Sequence, residues 1–453
     1  MKNKFFLLLV FAAIFIAACN NTPQNKKQDD NAFIEGHPAW INQGNIYEVN
    51  IRQYTPEGTF NAFAKHLERL KEMGVQTLWF MPINPIGVKD RKGVMGSYYA
   101  VKSYVQTNPE FGTMDDWKNL VKQAHDLGFK VIIDWVPNHT AADHEWLTTH
   151  KDFYVLDSVT KQPLSPFDWT DVRKLNYANK ALRDSMISQM KFWITESNID
   201  GFRCDVAGEV PDDFWKTCIA ELRKSKNIFM LAEGDKKELH EDGFDATYAW
   251  FDFAMMNKIA NGSRTIKSLD SATKKTDSLF PKNALRMFFT SNHDENSWNK
   301  ADYATMPGAV HAPFAVLSQT MKNTIPLIYS GQEEPVLDSI SFFYKNPIQF
   351  GKYQRANFYK TLLNLRKRND AFAMDASFKK ISVGNDEAVY AFVREKGKSK
   401  VLVVLNLSAK EQDVNIKEAT VVGKAKNVFT GKEEDIKSEI KKMQPWEYWI
   451  FEF

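Results

Sequence analysis

The chain is short of several things. It has 3 cysteines in 453 residues, too few for a disulfide framework. No cluster of His and Cys has zinc spacing. The charge is nearly balanced, with 59 Lys and Arg against 56 Asp and Glu and a formal net charge of +3. That gives no basic stripe for a nucleic acid, and no nucleic-acid partner is expected. No apolar run reaches the roughly 20 residues that a spanning helix needs. There is no repeat of fixed period, and low complexity is confined to a polar stretch near the N-terminus. Hydrophobic residues at 43% and charged residues at 25% are those of a folded globular protein, so a disordered chain is excluded.

The first residues read as an address. Lys2 and Lys4 precede an apolar run from Phe5 to Ala18, which has the shape of a secretory signal. It ends Ile16-Ala17-Ala18-Cys19 and resembles the bacterial lipoprotein signal, which is cut before a cysteine that then carries lipid. Residues 1–18 are therefore expected to be a signal peptide and 19–39 a flexible tether. The expected location is the cell envelope, with Cys19 as the only link to a membrane. Of the other two cysteines, Cys204 falls in a buried strand pattern, and both it and Cys218 are expected to be free.

Between residues 40 and 370, apolar strand-like runs alternate with amphipathic helical stretches. The strand runs are Ile46–Ile51, Val75–Phe80, Lys130–Asp134, Gly201–Asp205, Ile228–Glu233, Leu285–Thr290 and Ile325–Tyr329, with a weaker one near Ala246–Trp250. Helical spacing is seen over Phe60–Met73, Met114–Leu127, Lys180–Glu196, Pro211–Lys224 and Gln354–Arg368. Eight strands with intervening helices predict a closed (β/α)8 barrel, the TIM-barrel architecture, which takes roughly 250 residues. An open doubly wound sheet usually carries a Gly-rich phosphate loop after its first strand, and none follows Ile51. Residues 138–177 are long for a barrel loop and read as a small inserted subdomain. After residue 370 short strand patterns, Val389–Arg394, Lys400–Leu405, Glu418–Val422 and Tyr448–Phe453, predict an antiparallel β-sandwich domain over 371–453.

Four apolar strands end in polar residues: Asp134 with Asn138 and His139, Arg203 with Asp205, Glu233, and Asn292 with His293 and Asp294. Such ends are where barrel enzymes place their chemistry. Alternation along a strand puts Arg203 and Asp205 on one face. The guanidinium should keep Asp205 ionised, as a carboxylate nucleophile must be. Glu233 follows Ile-Phe-Met-Leu-Ala, and partial desolvation should raise its pKa and suit it to donate a proton. Two carboxylates in opposed protonation states are the equipment of glycosidic bond cleavage, with retention when they lie about 5–5.5 Å apart.

Asp134-Trp-Val-Pro-Asn138-His139, Gly201-Phe-Arg203-Cys-Asp205, Glu233 and Asn292-His293-Asp294 resemble, in order, the four sequence regions of the α-amylase family of glycoside hydrolases. The resemblance implies that Asp205 is the nucleophile, Glu233 the acid/base, and Asp294 the residue that holds sugar hydroxyls and stabilises the transition state. It implies that Arg203 orients Asp205 and that His139 and His293 hydrogen-bond the sugar. Gly96-Ser-Tyr98-Tyr99-Ala-Val-Lys-Ser103-Tyr104 resembles the loop whose tyrosine stacks on the sugar, and spacing back from Tyr104 selects Tyr99. Ser103 stands where the family often has Asp. Val206-Ala-Gly208-Glu209-Val210 and Val172-Arg-Lys174-Leu-Asn176 are similar to the neopullulanase and cyclomaltodextrinase group.

Lys174 occupies a position that carries Asp in calcium-dependent members, so no cofactor is expected and no calcium at the usual family site. The implied activity is a retaining, endo-type α-glucan hydrolase acting on α-1,4 bonds of starch, maltooligosaccharides or cyclodextrins. The alternatives are an α-glucan transglycosylase of the same fold and a non-catalytic glucan-binding protein. The neopullulanase group often dimerises through an N-terminal domain, which a short tether does not supply, so a monomer is expected.

Overall fold

The computed structural model describes residues 32–336 and 338–453. The signal-like segment, Cys19 and the tether up to residue 31 lie outside the described residues. Of the stretch read as a tether, Phe33–Ile34 pairs with His37–Pro38 as a hairpin. His37 Nδ1 meets Asp245 Oδ1 at 2.9 Å and Nε2 meets the Asn283 carbonyl at 2.7 Å, so this end of the stretch is fastened to the barrel.

Eight parallel strands form the barrel: β1 (Ile46–Val49), β2 (Thr77–Phe80), β3 (Lys130–Trp135), β4 (Gly201–Cys204), β5 (Phe229–Ala232), β6 (Ala246–Tyr248), β7 (Leu285–Met287) and β8 (Leu327–Tyr329). From β1 to β7 each pairs with its neighbours in sequence, and β8 pairs with β1. The last seam is closed by Arg286 N–H to Asn323 O, Ile325 N–H to Arg286 O and Leu327 N–H to Phe288 O, at 2.8, 3.0 and 2.9 Å. All eight strands are buried almost throughout, as parallel strands covered by helices must be. At Gly201 β4 runs against β5 so closely that a Cβ would lie 2.0 Å from the Phe229 carbonyl oxygen.

The helices outside the barrel follow the apolar spacing. Lys180–Ser197 buries Leu182, Met186, Met190, Trp193 and Ile194 along one stripe. Its N-terminus is capped by the Asn179 side chain, and it stops at Asn198 in the left-handed region. Met114–Asp126 opens on a capping box between Thr113 and Asp116. The helix expected over Phe60–Met73 is two helices, Phe60–Ala64 and Leu67–Met73. Cys204 and Cys218 are free and buried.

The C-terminal domain has a six-stranded antiparallel sheet. Its members are β9 (Ser377–Ile381), β10 (Val389–Lys396), β11 (Ser399–Asn406), β13 (Gly423–Asn427), β14 (Glu433–Ile436) and β16 (Tyr448–Glu452), in the order β9-β10-β11-β16-β13-β14. A two-stranded sheet of β12 (Gln412–Asn415) and β15 (Ile440–Met443) covers one face. Period-two alternation sends Tyr390, Phe392, Val401, Val403 and Ile450 against the barrel and Val389, Ala391, Leu402, Val404 and Phe451 toward the small sheet. Arg394 locks the junction by donating to the carbonyls of Thr320, Met321 and Ala373. The strand expected at Glu418–Val422 is displaced. Ala419–Val421 is a 3-10 turn that buries Val421, and pairing begins at Gly423.

Candidate active site

The polar strand ends converge at one mouth of the barrel. β3 and β4 pair with Asp134 beside Arg203. Arg203 is completely buried, and its Nη1 lies 2.9 Å from Asp134 Oδ1 and 2.9 Å from Asp205 Oδ1. Its Nη2 lies 3.0 Å from Glu233 Oε2, and its Nε donates to the Tyr248 hydroxyl at 3.0 Å. One guanidinium therefore gathers three carboxylates from three adjacent strands. Immediately after Asp205 the chain turns sharply. Val206, though β-branched, sits at φ 43°, and its N–H donates to Glu233 Oε2 at 2.7 Å. That strained residue fixes Glu233 relative to Asp205.

A second network flanks the first. His293 is the first residue of the short helix His293–Asn299, which Asn292 caps through its side chain, so the Asn of that motif is structural. His293 Nδ1 meets Glu48 Oε1 at 2.5 Å. Its Nε2 meets the Tyr99 hydroxyl at 2.7 Å and Asp294 Oδ2 at 3.3 Å. The Tyr99 hydroxyl also donates to Asp134 Oδ2 at 3.1 Å, which joins the two networks. Tyr99 stacks on His293, with centroids 5.4 Å apart and planes at 27°.

The charges shift one another. Burial would suppress the His293 imidazolium, but Asp294 and Glu48 outweigh it and hold its pKa well above the ordinary value. Burial would raise Asp294, but the His293 charge and hydrogen bond bring it below the usual carboxylate range. Burial pushes Asp134 up to about 6 against the opposing Arg203 charge. His139, buried and neutral, is pushed down to about 3. Asp205 departs from the sequence expectation. Burial, and next the Glu233 charge, raise it well above the usual range despite Arg203. Glu233, Asp134 and Asp294 crowd negative charge around it, against the single opposing charge of Arg203.

Tyr99, His139, Asp205, Glu233 and Asp294 line one pocket of about 520 Å³. Arg203 and His293 lie beneath it and act on the lining from below. Sequence reasoning missed several members. Glu48 and Tyr248 stand in β1 and β6, Trp169, Phe342 and Phe343 line the pocket from loops, and Trp298 lines it from the helix His293–Asn299. Glu48 had a signal, a lone carboxylate inside the apolar run Ile46–Val49. The loop aromatics had none.

Glu48→Gln should expose the role of the buried ion pair. It removes one of the two charges that raise His293, so the imidazolium is lost at lower pH. The alkaline limb of the kcat/KM profile should move toward acid, and an unmoved limb would mean that His293 is neutral in the working enzyme.

Among the described residues no group of three or more His, Cys, Asp or Glu is placed to hold a metal ion. At the position compared above with calcium-dependent members, the Asn138 carbonyl accepts the Leu175 N–H at 3.0 Å, and Lys174 pairs with His139 across a short antiparallel ladder.

The family model described as the catalytic domain of alpha amylase matches residues 20–431. The chain belongs to the alpha-amylase family. Alpha-amylase 3 of Dictyoglomus thermophilum is 25% identical over 92% of this chain and 93% of its own length. Neopullulanase 2 of Thermoactinomyces vulgaris is 27% identical, covering 79% of this chain and 64% of its own. The crystal structure of a noncanonic maltogenic alpha-amylase from Thermotoga neapolitana superposes with a TM-score of 0.83 at 29% identity, over 91% of this chain and 98% of that one. This alpha-amylase-family glycoside hydrolase thus shares both its barrel and its C-terminal sheet domain with solved relatives.

Proposed function

We propose that the enzyme is a retaining α-glucan hydrolase cleaving α-1,4 bonds through a covalent glycosyl-enzyme on Asp205. The observation that carries this is Arg203, whose Nη1 donates to Asp205 at 2.9 Å while its Nη2 lies within ion-pair reach of Glu233 at 3.0 Å, so that one cation brings the two carboxylates together. The first step requires Asp205 ionised and Glu233 protonated. An Asp205 oxygen then attacks the anomeric carbon. The glycosidic bond breaks, and Glu233 passes its proton to the departing oxygen. Water next gives a proton back to Glu233 and attacks the same carbon, releasing Asp205. Two inversions give net retention.

Asp294, kept ionised by His293, accepts hydrogen bonds from sugar hydroxyls that strengthen in the transition state. The Tyr99 ring offers an apolar face to the sugar. His139 offers a neutral imidazole. His293 has both ring nitrogens engaged within the protein, so we assign it to positioning Tyr99 and Asp294 rather than to sugar contact.

The test is product analysis by NMR and chromatography on starch, pullulan, cyclodextrin and maltoheptaose, with and without a chelator. The expected result is hydrolysis of α-1,4 bonds with α-configured new ends, unaffected by chelator. Initial β-anomers would refute retention, and chelator-sensitive turnover would refute a metal-free site. Oligosaccharides longer than the substrate, dominant at high concentration, would favour transglycosylation. Attack within long chains requires a cleft that is open at both ends.

A further inference from the structure

We infer that the active-site cleft is walled on its glycone side, so that the enzyme removes short units from the non-reducing ends of α-glucans instead of cutting internally. The inference rests on the assignment of Asp205 and Glu233 above. Around the barrel the loops following β7, β8, β2 and β3 are joined in a row by three seams.

At the first seam Trp298, after β7, meets Phe342 and Phe343, after β8, with ring centroids 5.5 and 5.9 Å apart. At the second, Phe343 is fixed against the loop after β2. The Met95 N–H donates to the Phe343 carbonyl at 3.0 Å, and a Cβ on Gly93 (φ +65°) would lie 2.5 Å from the Phe343 Cβ. Only glycine tolerates that approach. At the third, the loop after β2 is tied to the 138–177 insertion. Lys92 Nζ lies 3.4 Å from Asp171 Oδ1, Arg173 Nη2 lies 2.7 Å from Asp90 Oδ2, and the Val88 N–H donates to Asp143 Oδ2 at 3.0 Å. Lys92, Asp171, Trp298 and Phe343 all line the catalytic pocket, so these seams are its wall.

The loops on the opposite side are also joined, Lys236 Nζ donating to the Gly208 carbonyl at 2.8 Å and the Phe251 N–H to Asp235 Oδ2 at 3.2 Å, but they do not lean over the pocket. The loop after β6 contributes nothing to the lining, β4's loop gives only Asp205 and Val206, and β5's gives Glu233. Glu233 protonates the leaving oxygen, so the leaving part of the chain lies on its side, which is the open one. The part that stays on Asp205 points at the wall. A glucan's glycone part runs toward its non-reducing end, so the wall limits how many glucose units can precede the cut. About 520 Å³ is in the lower half of the roughly 300–1,000 Å³ typical of small-molecule sites, room for a short oligosaccharide.

Of the three contacts at the third seam, the Lys92–Asp171 pair is the one whose two partners both line the pocket. Lys92 is 35% exposed, while Asp171 is 6% exposed. It is the specificity-determining contact whose removal opens the wall.

The test compares maltoheptaose carrying a reducing-end chromophore with the same compound blocked at O4 and O6 of its non-reducing glucose. The wild-type enzyme should cleave the blocked compound at least 20-fold more slowly. Lys92→Ala and Asp171→Ala should each raise the blocked-to-free rate ratio at least 5-fold, and Lys92→Arg should keep the wild-type ratio. Equal wild-type rates on both compounds would overturn the walled cleft. A wild-type preference unchanged in both alanine variants would overturn the role of the pair. A wild-type enzyme that cleaves neither compound would instead defeat the hydrolase assignment itself.

Discussion

Asp205→Asn should abolish hydrolysis of every α-glucan, while Glu233→Gln should abolish it only where the leaving group needs a proton. The amide at 205 cannot form the glycosyl ester, so the first bond never breaks. Loss of a nucleophile costs on the order of 10⁴–10⁶ in turnover. Glu233→Gln removes a proton donor, an effect of about 10²–10⁴. Fluoride departs without protonation. On α-maltosyl fluoride the Glu233 variant should therefore release a single-turnover burst of fluoride at a rate near that of the wild-type first step, with slow release after it because the base for the second step is gone, and the Asp205 variant should release none. The readout is fluoride release against reducing-sugar release from maltoheptaose. If the two variants behaved alike on the fluoride, the division of roles between the carboxylates would be wrong. Circular dichroism should show both folded, because each substitution replaces a carboxylate by an amide of the same shape.

Arg203→Met should be the most damaging single change to the barrel mouth. Arg203 is fully buried and faces Asp134, Asp205 and Glu233. Burial opposes its charge, but Asp134 and Glu233 more than compensate and hold its proton firmly. Without it three carboxylates share a low-dielectric site and lose the one cation that all three face. Removing one partner of a buried ion pair costs about 3–5 kcal/mol.

The loss should depend on pH in a defined direction. Carboxylates stranded in this way have folded-state pKa values above their unfolded ones, so the folded state binds protons more tightly. Stability is then present at low pH and is lost as pH rises from the unfolded toward the folded value. The variant's midpoint of thermal unfolding should fall furthest below wild type at pH 8 and recover part of the gap at pH 5. A gap that widened on acidification would show that the destabilisation is a packing defect. Arg203→Lys should fall between, since a point charge cannot reach four partners at once.

The barrel was readable because parallel strands are buried on both faces. Runs such as Val75–Phe80 and Ile228–Glu233 therefore stand out as continuous apolar stretches. Helices with one buried stripe, such as Lys180–Ser197, were equally plain. Trp250–Ala260 and His311–Thr320 were not, because they have no polar face of useful width; nearly all of His311–Thr320 is buried. The break at Lys65–His66 left no mark in the apolar spacing on either side. In the site, a carboxylate ending an apolar strand is conspicuous, and Asp205, Glu233 and Asp294 were visible in that way. The wall was not. Phe342 and Phe343 belong to an irregular segment and Trp298 to the short helix His293–Asn299, and the neighbours of all three are set by tertiary contacts. The expectation for Asp205 erred for a related reason: a sequence shows Arg203 beside it but not the other carboxylates that crowd around it.

The hairpin at residues 33–38 gives the molecule a direction. His37 is bound to Asp245 and to the Asn283 carbonyl, which immediately precede β6 and β7, so the chain leaves the barrel from the end where its strands begin. The catalytic pocket opens at the end where they finish. The first described residues and the catalytic carboxylates are therefore at opposite ends of the barrel, so the hairpin contributes nothing to the path by which a substrate reaches them.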